Sequence, residues 1–307
     1  MLIENRNFPE KSSYRTIETA PEEPIQPKEW ALVAVGITAL ALLIAPIWAA
    51  AGLICLGPAL LIKKYAPHFS EQNQRRFNKF FAYISEIFLL IEVGLKSALT
   101  ALHIIPLEKV KEGGRPILLV HGFLNNPAAW THYLDVFPKK DLGSVYTINL
   151  GHPFLPLSEY AQKVKEKAEE IRKQTGRSDL ILIGHSMGGV VCALYAAKLA
   201  KEGTVTDLFT IGSPLSGCPM AKIASLGPNT REMRPGAPLL SEIRQGLEAK
   251  KQAIRFYHIG SDSDTLVPAD SALSGCGKKL RVPDLSHSEL LSSKIVSDWI
   301  STQIQNN

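Results

Sequence analysis

A serine hydroxyl attacks a carbonyl only when its oxygen is presented openly and a base stands beside it. Ser186 lies in Gly184-His185-Ser186-Met187-Gly188-Gly189, directly after the apolar Leu180-Ile181-Leu182-Ile183 and before Val190-Val191-Cys192-Ala193-Leu194-Tyr195-Ala196-Ala197. A strand that turns sharply into a helix projects the residue at the turn and strains its backbone there. Glycine two residues before and two after removes the side chains that would crowd it. Gly-x-Ser-x-Gly recurs by chance, so the flanking strand and helix patterns carry the inference. A second apolar run, Ile117-Leu118-Leu119-Val120, leads into His121-Gly122-Phe123. Acyl transfer places negative charge on the carbonyl oxygen, and two backbone N–H groups have to face it. Met187, next after the nucleophile, is expected to give one, and Phe123, in the turn after the other strand, the second. His121 reads as a structural turn histidine.

Such turns need a scaffold, and the chain from residue 113 onward alternates strand-like apolar runs with helical patterns. Candidate strands are Ile117–His121, Ser144–Leu150, Leu180–Gly184, Leu208–Gly212, Ile254–Gly260 and Lys279–Pro283, with helices over Ser158–Thr175, Met187–Lys201 and Ser288–Ile304. Apolar strands alternating with helices predict an α/β fold: a sheet of roughly six mainly parallel strands, covered on both faces.

His121-Gly122-Phe123, the Gly184–Gly189 run and the helix pattern between them resemble the small bacterial triacylglycerol lipases and the membrane-bound glycosylphosphatidylinositol-inositol deacylase group, within the α/β-hydrolase superfamily. Gly212-Ser213-Pro214-Leu215-Ser216-Gly217 is similar to the strand-end segment of those enzymes, and Arg234-Pro235-Gly236-Ala237-Pro238-Leu239-Leu240 to their short cap. The resemblance covers about two thirds of the chain, from Gly113 to the C-terminus. It implies an acid after the serine and a histidine last. Relatives place the acid three residues before a Val-Pro pair, which selects Asp264 in Gly260-Ser261-Asp262-Ser263-Asp264-Thr265-Leu266-Val267-Pro268, with Asp262 as the alternative. The base implied is His287, on the loop before the final helix and the one histidine after Asp264. Together they imply a Ser186-Asp264-His287 triad that cleaves a carboxylic ester through an acyl-enzyme, with no metal or organic cofactor.

Composition bounds the rest. Lys and Arg exceed Asp and Glu by only 5 charges, and no basic run interleaved with aromatics points to nucleic acid. Cys55, Cys192, Cys218 and Cys276 lack Cys-x-x-Cys spacing and read as free thiols. Residues 1–29 are polar and proline-punctuated, a disordered tail. Residues 30–64 hold an uncharged run from Ala31 to Ile62, longer than the ~30 Å hydrocarbon core requires. A tilted span fits, and so does a re-entrant hairpin broken near Pro46 or Gly57-Pro58. Residues 65–112 form a connector whose second apolar segment, 78–105, carries a polar stripe. It suits an amphipathic helix, either in the membrane interface or on the catalytic domain at 113–307. Lys63, Lys64, Arg75, Arg76 and Lys79 after the run outweigh Lys11, Arg15 and Lys28 before it, placing the catalytic domain on the cytoplasmic side. An anchor beside a hydrolase favours a lipid or other amphipathic ester as substrate. The alternatives are a transacylase or thioesterase with the same triad, or an inactive membrane-anchored interaction protein of hydrolase fold. Nothing in the sequence speaks to oligomeric state.

Overall fold

The computed structural model describes residues 107–111, 113–223 and 227–306. The disordered tail, the apolar run and the striped segment expected over residues 1–105 lie outside them. Among the described residues no helix is long and apolar enough to cross a membrane.

Six strands form one sheet: β1 (Ile117–Val120), β2 (Val145–Ile148), β3 (Leu180–His185), β4 (Val205–Ile211), β5 (Arg255–Ser261) and β6 (Lys278–Val282). Their order is β2-β1-β3-β4-β5-β6, with every neighbouring pair parallel. Successive side chains on a strand point to opposite faces, so wholly apolar strands require cover on both. In β1, Leu118 and Val120 join one buried cluster with Tyr146, Leu182 and Leu208. Ile117 and Leu119 join another with Val145, Ile181, Phe209 and Tyr257.

The first cluster is closed by α2 (Leu157–Thr175), α3 (Met187–Leu194) and α6 (Pro238–Ala249), and the second by α1 (Thr131–Lys139) and α9 (Lys294–Gln305). Helix α2 buries Leu157, Tyr160, Ala161, Val164, Ala168 and Ile171, three and four residues apart as one helix face demands. It stops at Gly176, whose φ of 68° is left-handed. Short helices α4 (Met220–Ile223) and α5 (Pro228–Glu232) lie between β4 and α6. Helices α7 (Ala269–Ala272) and α8 (Glu289–Ser292) fill the connections around β6.

Most strand ends shift by one or two residues from the sequence expectation. The helix expected over Met187–Lys201 is α-helical to Leu194 and then a π-helix over Tyr195–Leu199. Two further differences run deeper. The final helix, expected over Ser288–Ile304, is broken at Ser293, which is extended (φ −72°, ψ 124°) and caps α9 by accepting the Val296 N–H. Strand β4 begins at Val205 rather than Leu208, which draws Asp207 fully into the sheet. Its carboxylate is met by Arg115 Nη1 at 2.5 Å and by Arg255 Nε and Nη2 at 2.7 and 2.8 Å. Arg115 also donates to the Ile304 carbonyl at 3.1 Å, tying the last helix to the same cluster. Before β1, residues 107–111 run along β2: Lys109 and Val145 exchange both backbone hydrogen bonds, at 2.9 and 2.8 Å, in antiparallel sense.

Candidate active site

Ser186 stands between β3 and α3 with φ 54° and ψ −126°. A residue with a side chain held there costs about 1–3 kcal/mol, and the surroundings must impose it. Part of that constraint is close approach. A Cβ on Gly188 would lie 2.5 Å from the His121 oxygen and closer still to that of Val120. One on Gly184 would lie 2.5 Å from Gly189 N and Cα. Both neighbours are backbone and cannot yield, so the two glycines let the turn close against the end of β1. The Ser186 N–H donates to the Ile211 carbonyl at 2.8 Å, fixing the turn to the end of β4, and the residue is half-buried.

His287 lies on the loop after β6. Its Nδ1 is 2.7 Å from Asp264 Oδ2, with both residues buried. The other carboxylate oxygen, Oδ1, accepts the N–H groups of Leu266 and Val267 at 2.9 and 2.8 Å. One oxygen thus anchors the acid to its own loop and leaves the second for the imidazole. Asp262, the alternative acid, is exposed and pairs with Arg281 at 2.7 Å. The fold brings Asp264 to His287 and turns Asp262 away.

Met187 opens α3, so no carbonyl a turn earlier in the helix can take its N–H. Phe123 follows a carbonyl that is held in place. Leu150 N–H donates to His121 Nε2 at 3.0 Å, so the His121 hydrogen sits on Nδ1 and is donated to the Gly122 oxygen at 2.9 Å. Asn125 N–H reaches the same oxygen at 3.3 Å. Across a trans peptide, the Phe123 N–H therefore faces away from that anchored carbonyl. Burial lowers His121 to a pKa of about 4, which keeps the imidazole neutral and Nε2 an acceptor. Its role is the structural one that the sequence indicated. Gly122 lies against Ser186, where a Cβ would be 3.0 Å from Ser186 Cβ.

One contributor escaped the sequence. Asn229, fully buried at the start of α5, donates from Nδ2 to the Pro153 carbonyl at 2.7 Å and toward Met187 Sδ at 3.5 Å. It joins α5, the β2–α2 loop and Met187, the residue after Ser186. The one local signal was Gly227-Pro228-Asn229, a helix start with Pro in its first turn. On the segment between β4 and α6 and at the start of α6, Leu215 and Leu240 belong to the core, whereas Met220 is 39% exposed. A cavity of about 700 Å³ between α6, β5 and the Ser274–Cys276 turn is lined by Leu215, Ile243, Leu247 and His258 and includes neither Ser186 nor His287. The thiols of Cys192, Cys218 and Cys276 are free. Cys218 donates to the Leu266 carbonyl at 2.7 Å.

A six-stranded parallel sheet with a strained serine between strand and helix defines a hydrolase class, and comparison with known proteins agrees. The chain belongs to the alpha/beta hydrolase family, whose model matches residues 117–293. Among solved structures it is similar to the Bacillus licheniformis lipase BlEst2 in mature form, with a TM-score of 0.55 and 15% identity over 64% of this chain and 94% of that one. Aspergillus fumigatus lipase B gives a TM-score of 0.52 and 17% identity over 63% of this chain and 53% of that one. At such identities the likeness is one of fold. A putative GPI inositol-deacylase C from Yarrowia lipolytica (strain CLIB 122 / E 150) is 35% identical over 77 residues, 24% of this chain. The chain spans only 9% of the length of that curated relative.

Proposed function

We propose that this chain is a membrane-associated serine hydrolase that cleaves a carboxylic ester of a lipid, using Ser186, Asp264 and His287 as its triad and the Met187 and Phe123 N–H groups as its oxyanion hole. The carrying observation is the hydrogen bond between His287 Nδ1 and Asp264 Oδ2 at 2.7 Å, in a hydrolase fold whose one strained strand-to-helix serine among the described residues is Ser186. The carboxylate fixes the imidazole tautomer with Nε2 as the base and stabilises the imidazolium as it forms.

His287 takes the Ser186 proton as Oγ bonds to the acyl carbon, and the carbonyl electron pair moves to oxygen, facing the two N–H groups. Collapse of this tetrahedral species expels the alcohol, which leaves with the proton from His287. Water then attacks the acyl-enzyme by the same steps, releasing the acid and restoring Ser186.

The apolar run inside 30–64 holds the chain at a membrane, 65–112 connects, and 113–307 is the catalytic domain on the cytoplasmic side. Support comes from the uncharged stretch Ala31–Ile62 and the basic residues after it. Resistance of the full chain to alkaline carbonate extraction, with protease access from the cytoplasmic face, is the expected result. Release by carbonate would overturn the anchor.

The catalytic reading is tested by labelling full-length protein with a fluorophosphonate and by turnover of short and long p-nitrophenyl esters, for wild type, Ser186→Ala and His287→Ala. Labelling and turnover by wild type alone are expected. A folded wild type that does neither removes the reading and leaves an inactive scaffold. A second, narrower reading draws on the 77-residue match to the inositol-deacylase: the ester acylates the inositol of a glycolipid. Faster release of acid from an acyl-inositol glycolipid than from a triacylglycerol would favour it. Product analysis with added alcohol or thiol acceptors separates hydrolysis from acyl transfer.

A further inference from the structure

His185 fills the variable position of the Gly-His-Ser-Met-Gly run, and the nucleophile's chemistry asks nothing of its side chain. That side chain is nonetheless built into the site. His185 is 2% exposed, and its Nε2 lies 3.1 Å from the main-chain oxygen of His287. The two rings stand 4.6 Å apart between centroids, tilted by 45°. A carbonyl oxygen only accepts, so Nε2 carries the hydrogen. Nδ1 is then a bare acceptor, buried and without a hydrogen-bond partner among the described residues. It sits against Gly122, where a Cβ would be 3.4 Å away. Burying an unpaired polar atom is costly, and an aliphatic residue of similar size would avoid it. What histidine offers at this position, and leucine does not, is the N–H at Nε2.

We propose that His185 is a positioning residue for the base: its Nε2–H holds the main chain of His287 at a fixed place relative to the nucleophile. The inference rests on the triad reading above. Asp264 fixes the rotation of the His287 ring through Nδ1, and the bond from His185 fixes where the backbone bearing that ring stands. His287 sits on the loop after β6, three strands across the sheet from β3, so without this bond its register to Ser186 depends on every strand between. His185 is covalently joined to Ser186, and the bond therefore references the base directly to the nucleophile. Burial, with His287 beside it, drives the basicity of His185 well below the ordinary imidazole value. The ring stays neutral while His287 carries the proton, which avoids two like charges in ring contact.

The test uses full-length protein in detergent and compares wild type with His185→Gln and His185→Leu, with Ser186→Ala as the blank. The maximal rate and half-saturation concentration of fluorophosphonate inactivation are measured alongside thermal unfolding. A glutamine amide can present an N–H where Nε2 stands, so His185→Gln is expected within about threefold of wild type. His185→Leu is expected to react at least about tenfold more slowly at saturation with little change in half-saturation, as a misplaced base predicts. Equal maximal rates for the leucine variant and wild type would overturn the inference. So would a glutamine variant as slow as leucine while both melt normally. If leucine prevents folding, His185→Asn, whose shorter amide falls short of the His287 oxygen, is read against glutamine in the same way. Folded wild type that does not label sinks the triad reading and this inference together. Wild type that labels leaves the variants to decide this inference alone.

Discussion

Asp264 meets His287 through one carboxylate oxygen, at 2.7 Å, while its other oxygen takes two N–H groups from its own loop. An asparagine amide can keep either the loop bonds or the imidazole bond in proper donor–acceptor sense, but not both. Asp264→Asn is therefore expected to lower the hydrolysis rate by about 10³–10⁴-fold through the wrong histidine tautomer. Asp262→Asn disturbs only the exposed Arg281 pair and should stay within about threefold. Ester turnover of both variants, normalised to folded protein, reads the difference, and the reverse ranking would remove Asp264 from the triad.

Gly188 is set by backbone that has nowhere to go. Its added Cβ would press on the carbonyl oxygens of Val120 and His121 at the end of β1. Gly188→Ala should cost at least about 1–3 kcal/mol, the range of overpacking in tight interiors, visible as a lower denaturant midpoint. Unchanged stability would mean that β1 and the elbow separate more freely than the structure shows.

Asp207 lies at the opposite ends of the strands from Ser186, between Arg115 and Arg255. Asp207→Ala leaves two guanidinium groups facing each other. Removing one partner of a buried ion pair costs about 3–5 kcal/mol, and partial exposure of the two arginines reduces this toward about 2–4 kcal/mol. Urea unfolding should register the loss, with ester turnover per folded molecule unchanged. A fall in turnover equal to the fall in stability would contradict that separation.

Three histidines make stability depend on pH. His121 and His258 are each lowered to about 4 by burial, and His185 is lowered well below its ordinary value. In the unfolded chain they take up protons near pH 6.5. Between there and about pH 4 the unfolded state binds more protons than the folded one, so stability rises with pH across this window. The stabilisation is fully present above about 6.5 and is lost as pH falls through about 4, with an upper bound of order 3 kcal/mol each for His121 and His258. His258 holds Thr210 at 2.8 Å and the Cys276 carbonyl at 2.9 Å. Melting temperatures of wild type and His258→Gln from pH 7.5 to 4.5 test this, and a shallower slope is expected for the variant. Identical slopes would mean that His258 titrates normally.

What could be read in advance was what local spacing encodes. The glycines around Ser186 and the five apolar runs of β1 to β5 are short-range signals, and both correspond to observed structure. Asp207 hid the start of β4, because a carboxylate inside a strand makes sense only beside Arg115 and Arg255, 92 and 48 residues away. The break at Ser293 was masked because Leu290, Leu291, Val296, Ile300 and Ile304 keep an apolar rhythm through it. His185 gives no local signal, since its partner lies 102 residues further along. Asn229 was equally silent, its worth depending on Pro153 and Met187 being neighbours in space.

The pairing of residues 107–111 along β2 has a further consequence. A sheet normally presents bare N–H and C=O groups at both margins, a template on which another chain can pair and aggregate. Here one margin is partly occupied by the protein's own chain, through Lys109 and Val145. The other is β6, Lys278-Lys279-Leu280-Arg281-Val282, where Arg281 is paired with Asp262 and Asp270 while the exposed lysines Lys278 and Lys279 repel a second copy of themselves. Self-templating is discouraged at one end by occupancy and at the other by charge, so a concentrated population of this hydrolase domain has protection against strand addition at both margins.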